Sequence, residues 1–282
     1  MMAWRINPGY WLSLPALVLL LVFFVAPMAI LLPTSLHSYS PETGIGHDWT
    51  LGNYIAIVTD SFYLEIIART IALGVLVSLC CLVIGWPLAS LIARSRSRYR
   101  FLLVLAVIFP LLIDVVVRSF GWIVLLSEHG ILNELLIASG LFSRPLKLLF
   151  NFAGLVIGMI HLMLPFMVLI LSSAIQAIPK DIENAAATLG SSSIATFCFV
   201  TVPLAMPGIV AGSILVFVLT ISSMVTPRLL GGPTYRVVAT AIYDEFLELL
   251  NWPMGAALSA ILTLLVLILV ALSGSLTRRR AR

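Results

Sequence analysis

The chain has 282 residues, of which 61% are hydrophobic and only 10% are charged. Soluble domains contain about 45–50% apolar and about 25% charged residues, so this composition excludes an ordinary soluble enzyme, a disordered chain and a disulfide scaffold. The formal net charge of +4 comes from short basic clusters beside apolar runs. Between these clusters there is no aromatic-interleaved basic surface of the kind that binds nucleic acid. The composition therefore indicates a protein embedded in a lipid membrane, with no nucleic-acid partner.

Six apolar segments are long enough to cross a bilayer, whose hydrocarbon core of about 30 Å needs about 20 residues of helix. Each should be helical, because an open strand leaves its backbone unpaired in lipid. We predict an all-α polytopic membrane protein in which residues 1–282 form a single transmembrane domain. The predicted spans are approximately 11–32, 70–93, 101–126, 148–175, 204–226 and 254–276.

Three local features qualify this pattern. Residues 33–65 are rich in Pro and Gly, which favours a loop with turns. Residues 128–141 carry apolar side chains at helical spacing, which predicts a short helix at the outer interface. Within the third span, Pro110 predicts a kink.

Basic residues are unevenly distributed between the two sides of this six-span arrangement. One side holds ten Lys and Arg residues: Arg5, Arg94, Arg96, Arg98, Arg100, Lys180, Arg278, Arg279, Arg280 and Arg282. The other side holds five basic residues, Arg69, Arg144, Lys147, Arg228 and Arg236. It also holds nine of the twelve acids. Because loops rich in Lys and Arg remain in the cytoplasm, both termini are predicted to be cytoplasmic.

The cytoplasmic loop 179–203 carries the signals of a short helix. Pro179 can begin a helix, and Asp181 and Glu183 favour its positively charged end. Three alanines follow, and Gly190 can end the helix in a left-handed cap. From the residues alone, such a helix could dock a partner protein or could simply connect two spans.

This loop resembles the EAA loop of permease subunits of type I binding-protein-dependent ABC importers. That pattern is Glu-Ala-Ala, three residues, Gly, nine residues, and then Ile-x-Leu-Pro. The matching positions are Ala185, Ala186, Gly190 and Pro203, the last in Val200-Thr201-Val202-Pro203. Asn184 stands where the family has Glu, with Glu183 immediately before it, so an ionic contact from position 184 is not expected.

Other segments resemble the spermidine/putrescine branch of these permeases. They include Phe120-Gly121-Trp122, Asn133-Glu134, Leu164-Pro165-Phe166-Met167, Pro203-Leu-Ala-Met-Pro-Gly208, Leu230-Gly231-Gly232 and Asn251-Trp252-Pro253-Met254-Gly255-Ala256-Ala257. Related permeases for other small organic solutes share these segments.

The resemblance implies a multi-pass permease of a bacterial inner membrane, without catalytic residues or a bound cofactor. It implies a second homologous permease subunit, two ATP-binding subunits that bind ATP and Mg, and an extracytoplasmic solute-binding protein. The loop would be the coupling helix that transmits ATPase movement to the membrane helices. The residues that take this role by resemblance are Glu183, Asn184, Ala185, Ala186, Gly190 and Pro203.

Polar residues within the spans are candidates for the substrate pathway: Asp114, Arg118, Trp122, Ser223 and Thr226. Asp114 and Arg118 are four residues apart, so on one helix they share a face. A charge in lipid is costly, so the pair should face the bundle interior or a water-filled cavity. Asp114 could offer a carboxylate to a cationic solute, or the two could form an internal ion pair.

The remaining candidates have structural alternatives. Trp122 could be an interfacial anchor or a cation–π contact, and Ser223 and Thr226 could line the pathway or hydrogen-bond neighbouring helices. His161 is alone in the fourth span and should be packed and hydrogen-bonded.

The chain has no phosphate-binding loop, zinc-protease motif or credible Ser-His-Asp set, so we expect neither an enzyme nor a metal site.

Two other functions remain as alternatives. One alternative is an ABC importer permease for another small solute, such as an amino acid-like compound or a phosphonate. The other is a proton-coupled secondary carrier, which the intramembrane Asp114 would serve.

Overall fold

The computed structural model describes residues 9–95 and 97–280, so Arg5, Arg96 and Arg282 of the orientation prediction lie outside the described residues. Among the described residues, six helical segments are long and apolar enough to cross a membrane, which confirms the predicted all-α membrane fold. They are Leu14–Thr34, Ser61–Arg94, Val115–Ala138, Phe152–Gln176, Ser193–Ile221 and Trp252–Ala271. The chain divides into two compact units, which are described separately.

The first unit contains the described chain up to Leu64, together with Ala241–Thr263. Its first elements are α1 (Gly9–Leu20), α2 (Ala26–Thr34), β1 (His37–Ser40), β2 (Gly44–Trp49) and α3 (Gly52–Thr59). A π-helical turn joins α1 to α2. The strands pair antiparallel, with Tyr39 opposite Ile45. The segment predicted as a loop with turns therefore contains a hairpin and a short helix.

The second unit contains Glu65–Thr240 and the described chain from Leu264 onward. The helices from residue 61 onward are α4 (Ser61–Arg94), α5 (Ser97–Ile108), α6 (Val115–Leu126), α7 (Ile131–Ala138), α8 (Phe152–Gln176), α9 (Lys180–Thr188), α10 (Ser193–Thr196), α11 (Val202–Ile221), α12 (Val238–Tyr243) and α13 (Trp252–Arg280). Of these, α4, α12 and α13 have residues in both units.

Helix α8 is the most buried of the membrane-crossing segments, and its neighbour is α11. Small residues bring the two backbones close together. A Cβ atom added at Gly208 would lie 2.2 Å from the Ala174 Cβ, and one at Gly212 would lie 2.9 Å from the Met167 Sδ. Close packing of small residues is a general way to associate helices in lipid, where the hydrophobic effect contributes little.

Two predicted spans are interrupted. In the third, α5 ends at Ile108, Phe109–Leu112 forms a 3₁₀ turn that includes Pro110, and α6 begins only at Val115. The break at Pro110 is thus sharper than the predicted kink. In the fifth, α11 ends at Ile221, and a π-helical turn, Pro227–Gly231, follows after non-helical residues.

The short helix predicted for residues 128–141 is present as α7. Asn133, which is 1% exposed, attaches it to the chain on both sides. Its Nδ2 donates to the Ser127 and Leu146 carbonyls, at 2.9 and 3.0 Å, and its Oδ1 accepts from the Leu146 amide at 2.9 Å. The location of α7 at the outer interface stays a prediction.

Candidate functional site

The loop between the fourth and fifth spans forms helix α9, which Pro179 caps at its N-terminus. Gly190 has a φ of 84°, which confirms the predicted left-handed cap. The amides of Gly190 and Ser191 donate to the carbonyls of Ala187 and Ala186, at 3.0 and 3.1 Å. This bonding closes the end of the helix, as in helices that end at glycine.

The small-residue face of α9 is open. Asn184, Ala185 and Gly190 are exposed, and Ala186 is half-buried. A Cβ added at Gly190 would meet no atom within 4 Å, and the neighbouring Leu189 is 89% exposed. A partner surface could therefore approach this helix without displacing any side chain of the described residues.

Glu183 differs from its neighbours in α9: its carboxylate already has partners within this chain. The Arg94 Nη2 lies 2.5 Å from the Glu183 Oε1, and the Thr201 hydroxyl donates to the same oxygen at 3.3 Å. The sequence predicted that Glu183 belongs to the coupling residues, but it did not predict the contacts with Arg94 and Thr201. Arg94 is 89 positions away at the end of another helix, so no local pattern could have identified the pair.

A cavity of about 330 Å³ lies behind α9. Trp86 and Ser90 of α4 line it on one side, and Ala187 of α9 lines it on another. Phe197 of the π-helical turn Phe197–Thr201 contacts the Trp86 ring edge-on at 5.3 Å between centroids. Pro203, the last residue of the predicted coupling set, lies exposed in the first turn of α11.

Asp114 is not within a helix but caps α6. Its Oδ1 accepts from the Val116 amide at 2.8 Å, and its side chain is exposed. Among the described residues, no ion pair joins Asp114 to Arg118. The Arg118 Nε and Nη1 are buried and have no hydrogen-bond partner within that part of the chain. The break before α6 explains why the alternative of an internal ion pair is not observed, since a capping carboxylate is directed at the helix amides.

Two side-chain hydrogen bonds attach α6 to other elements of the second unit. The Trp122 Nε1 donates to the His161 Nδ1 of α8 at 3.1 Å, so this nitrogen carries no proton. The Ser119 hydroxyl lies 3.2 Å from that of Thr226, which is fully buried. His161 is thus hydrogen-bonded, as predicted. Ser223 is half-exposed in the interruption after α11.

Other polar groups in the structure were not selected from the sequence. In the first unit, Asp244 and Glu245 are 8% and 6% exposed, and the Tyr63 hydroxyl donates to the Glu245 Oε1 at 3.0 Å. In the second unit, the Arg69 guanidinium pairs with Glu65 and lies 4.9 Å from the centre of the Tyr235 ring.

Burial raises the pKa of Tyr235, and the nearby positive charge of Arg69 opposes this shift. The phenol therefore remains protonated at neutral pH. In residues 9–95 and 97–280, no three His, Cys, Asp or Glu side chains are grouped so that they could hold a metal ion.

Six helical segments of the described chain that are long and apolar enough to cross a membrane, together with an exposed helix on the connection between the fourth and fifth, define a multi-pass membrane protein. The chain belongs to the family described as "Binding-protein-dependent transport system inner membrane component", which matches residues 83–282. It is therefore an inner-membrane permease subunit of an ABC importer and not itself an enzyme.

Individual relatives agree with this assignment. The spermidine/putrescine transport system permease protein PotB of Escherichia coli is 32% identical over 247 residues, which cover 88% of this chain and 90% of the relative. The protein of the same name from Haemophilus influenzae is 34% identical over 251 residues, with 89% and 87% covered. A chain of the bacterial alginate ABC transporter, solved with an alginate-bound periplasmic protein, shares the fold. Its TM-score is 0.79 at 20% identity, over 97% of this chain and 94% of that one.

Proposed function

We propose that this permease forms half of the translocation pathway of an ATP-driven importer of spermidine or putrescine. The observation that carries the substrate assignment is the identity of 32–34%, over nearly nine-tenths of the chain, to permeases named for these two solutes. Both solutes are cations, and Asp114, an exposed acid at the start of α6, suits them.

The importer requires further subunits. A second homologous permease completes the pathway, two ATP-binding subunits bind ATP and Mg and dock on α9, and an extracytoplasmic protein delivers the solute. The basic clusters of the loops support an orientation with both termini in the cytoplasm, which puts α9 on the side of the ATPases.

In this proposal α9 is the coupling helix. ATP binding closes the two ATPases, α9 transmits their movement to the membrane helices, and the pathway opens outward to receive the solute. ATP hydrolysis then resets the transporter. The exposure of Asn184, Ala185 and Gly190 supports their role as the docking surface, and Asn184 makes that contact without a charge.

The candidates for the substrate pathway separate into three groups. Asp114 and Ser223 lie at the helix interruptions with exposed or half-exposed side chains, which supports direct contact with a cationic solute. Trp122 and Thr226 are hydrogen-bonded to other helices, which supports a packing role. Arg118 would repel a cation, so we assign it no contact with the solute.

The test is ATP hydrolysis and solute uptake by the complete complex reconstituted in proteoliposomes. Spermidine and putrescine, presented with the binding protein, should stimulate hydrolysis. Gly190→Arg should lower uptake at least about tenfold, because it puts an unpaired charge into the docking interface.

Gly140→Arg is the matched control. Gly140 also has a positive φ, 73°, and also has no atom within 4 Å of an added Cβ. It follows α7 and is not part of the proposed docking helix, so uptake should be unchanged. Normal uptake by Gly190→Arg would refute docking on α9. Stimulation by another solute, with none by spermidine or putrescine, would refute only the substrate assignment.

A further inference from the structure

The guanidinium of Arg94 connects three elements at one end of the second unit. Its Nη2 pairs with Glu183 of α9 at 2.5 Å, and its Nη1 donates to the Ile178 carbonyl, just beyond α8, at 3.2 Å. Arg94 itself is the last residue of α4. One side chain therefore attaches both α8 and α9 to the end of α4.

The pair is shielded from water on most sides. The Arg94 and Glu183 side chains are 24% and 26% exposed, so solvent screens their attraction less than it screens that of a fully exposed pair. The Thr201 hydroxyl also donates to the Glu183 Oε1, at 3.3 Å. The carboxylate therefore connects α9 to the start of the fifth span as well as to α4.

The cavity behind α9 makes the position of this helix depend on the Arg94–Glu183 pair. Ala187 of α9 and Ser90 of α4 line the same cavity, so side-chain packing does not fill the space between these two helices. Where packing is incomplete, the position of α9 relative to α4 depends on the polar contacts that bridge the space. The Arg94–Glu183 pair is such a contact.

We propose that Arg94 is a positioning residue, which holds α9 through Glu183 so that a movement of α9 is passed to α4. Glu183 then acts inside the permease and not in the docking interface, where the uncharged Asn184 stands next to it. The part of this inference that concerns coupling rests on the proposed docking of an ATPase on α9. The part that concerns the position of α9 does not depend on that docking.

The first experiment measures the position of α9 in the full-length permease alone, in lipid nanodiscs. A spin label on Thr188→Cys, an exposed position in the last turn of α9, reports the mobility of the helix in a background where Cys80, Cys81 and Cys198 are replaced by alanine, so that only residue 188 is labelled. Arg94→Gln and Glu183→Gln should each increase this mobility, and the exchanged pair Arg94→Glu with Glu183→Arg should reduce it again. Asp181→Asn is the matched control, because Asp181 is an exposed acid of the same helix.

The second experiment measures ATP hydrolysed per solute imported by the complete complex. Arg94→Gln and Glu183→Gln should raise this ratio by roughly fivefold, a size reasonable for a partly shielded ion pair. The exchanged pair should lower the ratio again, and Asp181→Asn should leave it unchanged. A merely structural pair would lower the amount of assembled complex without changing the ratio.

Unchanged label mobility in both single variants would overturn the inference. Loss of ATPase binding in Glu183→Gln, with Arg94→Gln normal, would overturn it too, since Glu183 would then be a docking residue. Changed mobility with an unchanged ratio would refute the transmission of α9 movement through the Arg94–Glu183 pair and leave the attachment of α9 by Arg94 standing.

Discussion

Asn133 is a single buried side chain whose hydrogen bonds determine the position of a whole short helix. Asn133→Ala would remove three hydrogen bonds and leave the half-buried Leu146 amide without a partner, whereas the Ser127 and Leu146 carbonyls still accept from the Gly130 and Leu148 amides. Unsatisfied groups of this kind cost about 1–3 kcal/mol each, partly offset by local rearrangement. At about 2–4 °C per kcal/mol for a large chain, we expect the thermal unfolding midpoint of the permease in detergent to fall by roughly 2–10 °C.

Glu134 supplies the control for this substitution. It is the next residue of α7 and is exposed, so Glu134→Ala should leave the midpoint within about 1 °C, as surface substitutions generally do. Equal midpoints for the two variants would show that the Asn133 hydrogen bonds do not stabilise the fold.

Individual residues also show what the sequence could and could not predict. The left-handed cap at Gly190 was predictable, because the signals of a helix end lie within a few residues of one another. The Trp122–His161 hydrogen bond and the Arg94–Glu183 pair were not. They join residues that are 39 and 89 positions apart, and only the packing of different helices brings such residues together.

At the scale of elements, the contact between α8 and α11 depends on the absence of side chains. A Cβ at Gly208 would lie 2.2 Å from that of Ala174, so Gly208→Ala forces the helices apart. Overpacking of this kind costs about 1–3 kcal/mol, and we expect a lower thermal unfolding midpoint. Combining it with Ala174→Gly moves the methyl group to the facing helix, and the midpoint should return towards that of the unaltered permease.

Gly121→Ala is the control for helical glycine, because a Cβ at Gly121 in α6 would meet no atom within 4 Å. The thermal unfolding midpoint of this variant should equal or exceed that of the unaltered permease, since alanine has a higher helix propensity than glycine. A double variant no more stable than Gly208→Ala alone would contradict the close contact at this site.

The interruptions of the third and fifth spans were only partly predictable. Pro110 indicated a kink, because proline lacks the amide hydrogen that a helix needs. Hydropathy could not reveal a complete break, since it measures the transfer of side chains to lipid and not the bonding of the backbone. The capping bond of Asp114 to the Val116 amide shows how the new helix start at Val115 is stabilised.

For the whole molecule, composition and the pattern of apolar segments were sufficient to predict six spans, and the capping signals of loop 179–203 predicted a short helix between the fourth and the fifth. The family could be recognised because the pattern around Ala185, Ala186 and Gly190 combines a helix, its cap and a fixed distance to Pro203. The surfaces that meet the other subunits are less predictable. In a membrane protein, lipid-facing and partner-facing helices are both apolar, so sequence does not distinguish them.

As a permease subunit of an ABC importer, this chain should support uptake that is driven by ATP and not by the proton gradient. The most direct measurement is the uptake of radiolabelled spermidine into proteoliposomes that contain the complete complex, with the binding protein supplied outside. Uptake is followed with ATP inside or omitted, and with or without a protonophore. We predict uptake that requires ATP and persists with the protonophore. Uptake that proceeds without ATP and collapses when the protonophore is added would show a carrier driven by the proton gradient instead.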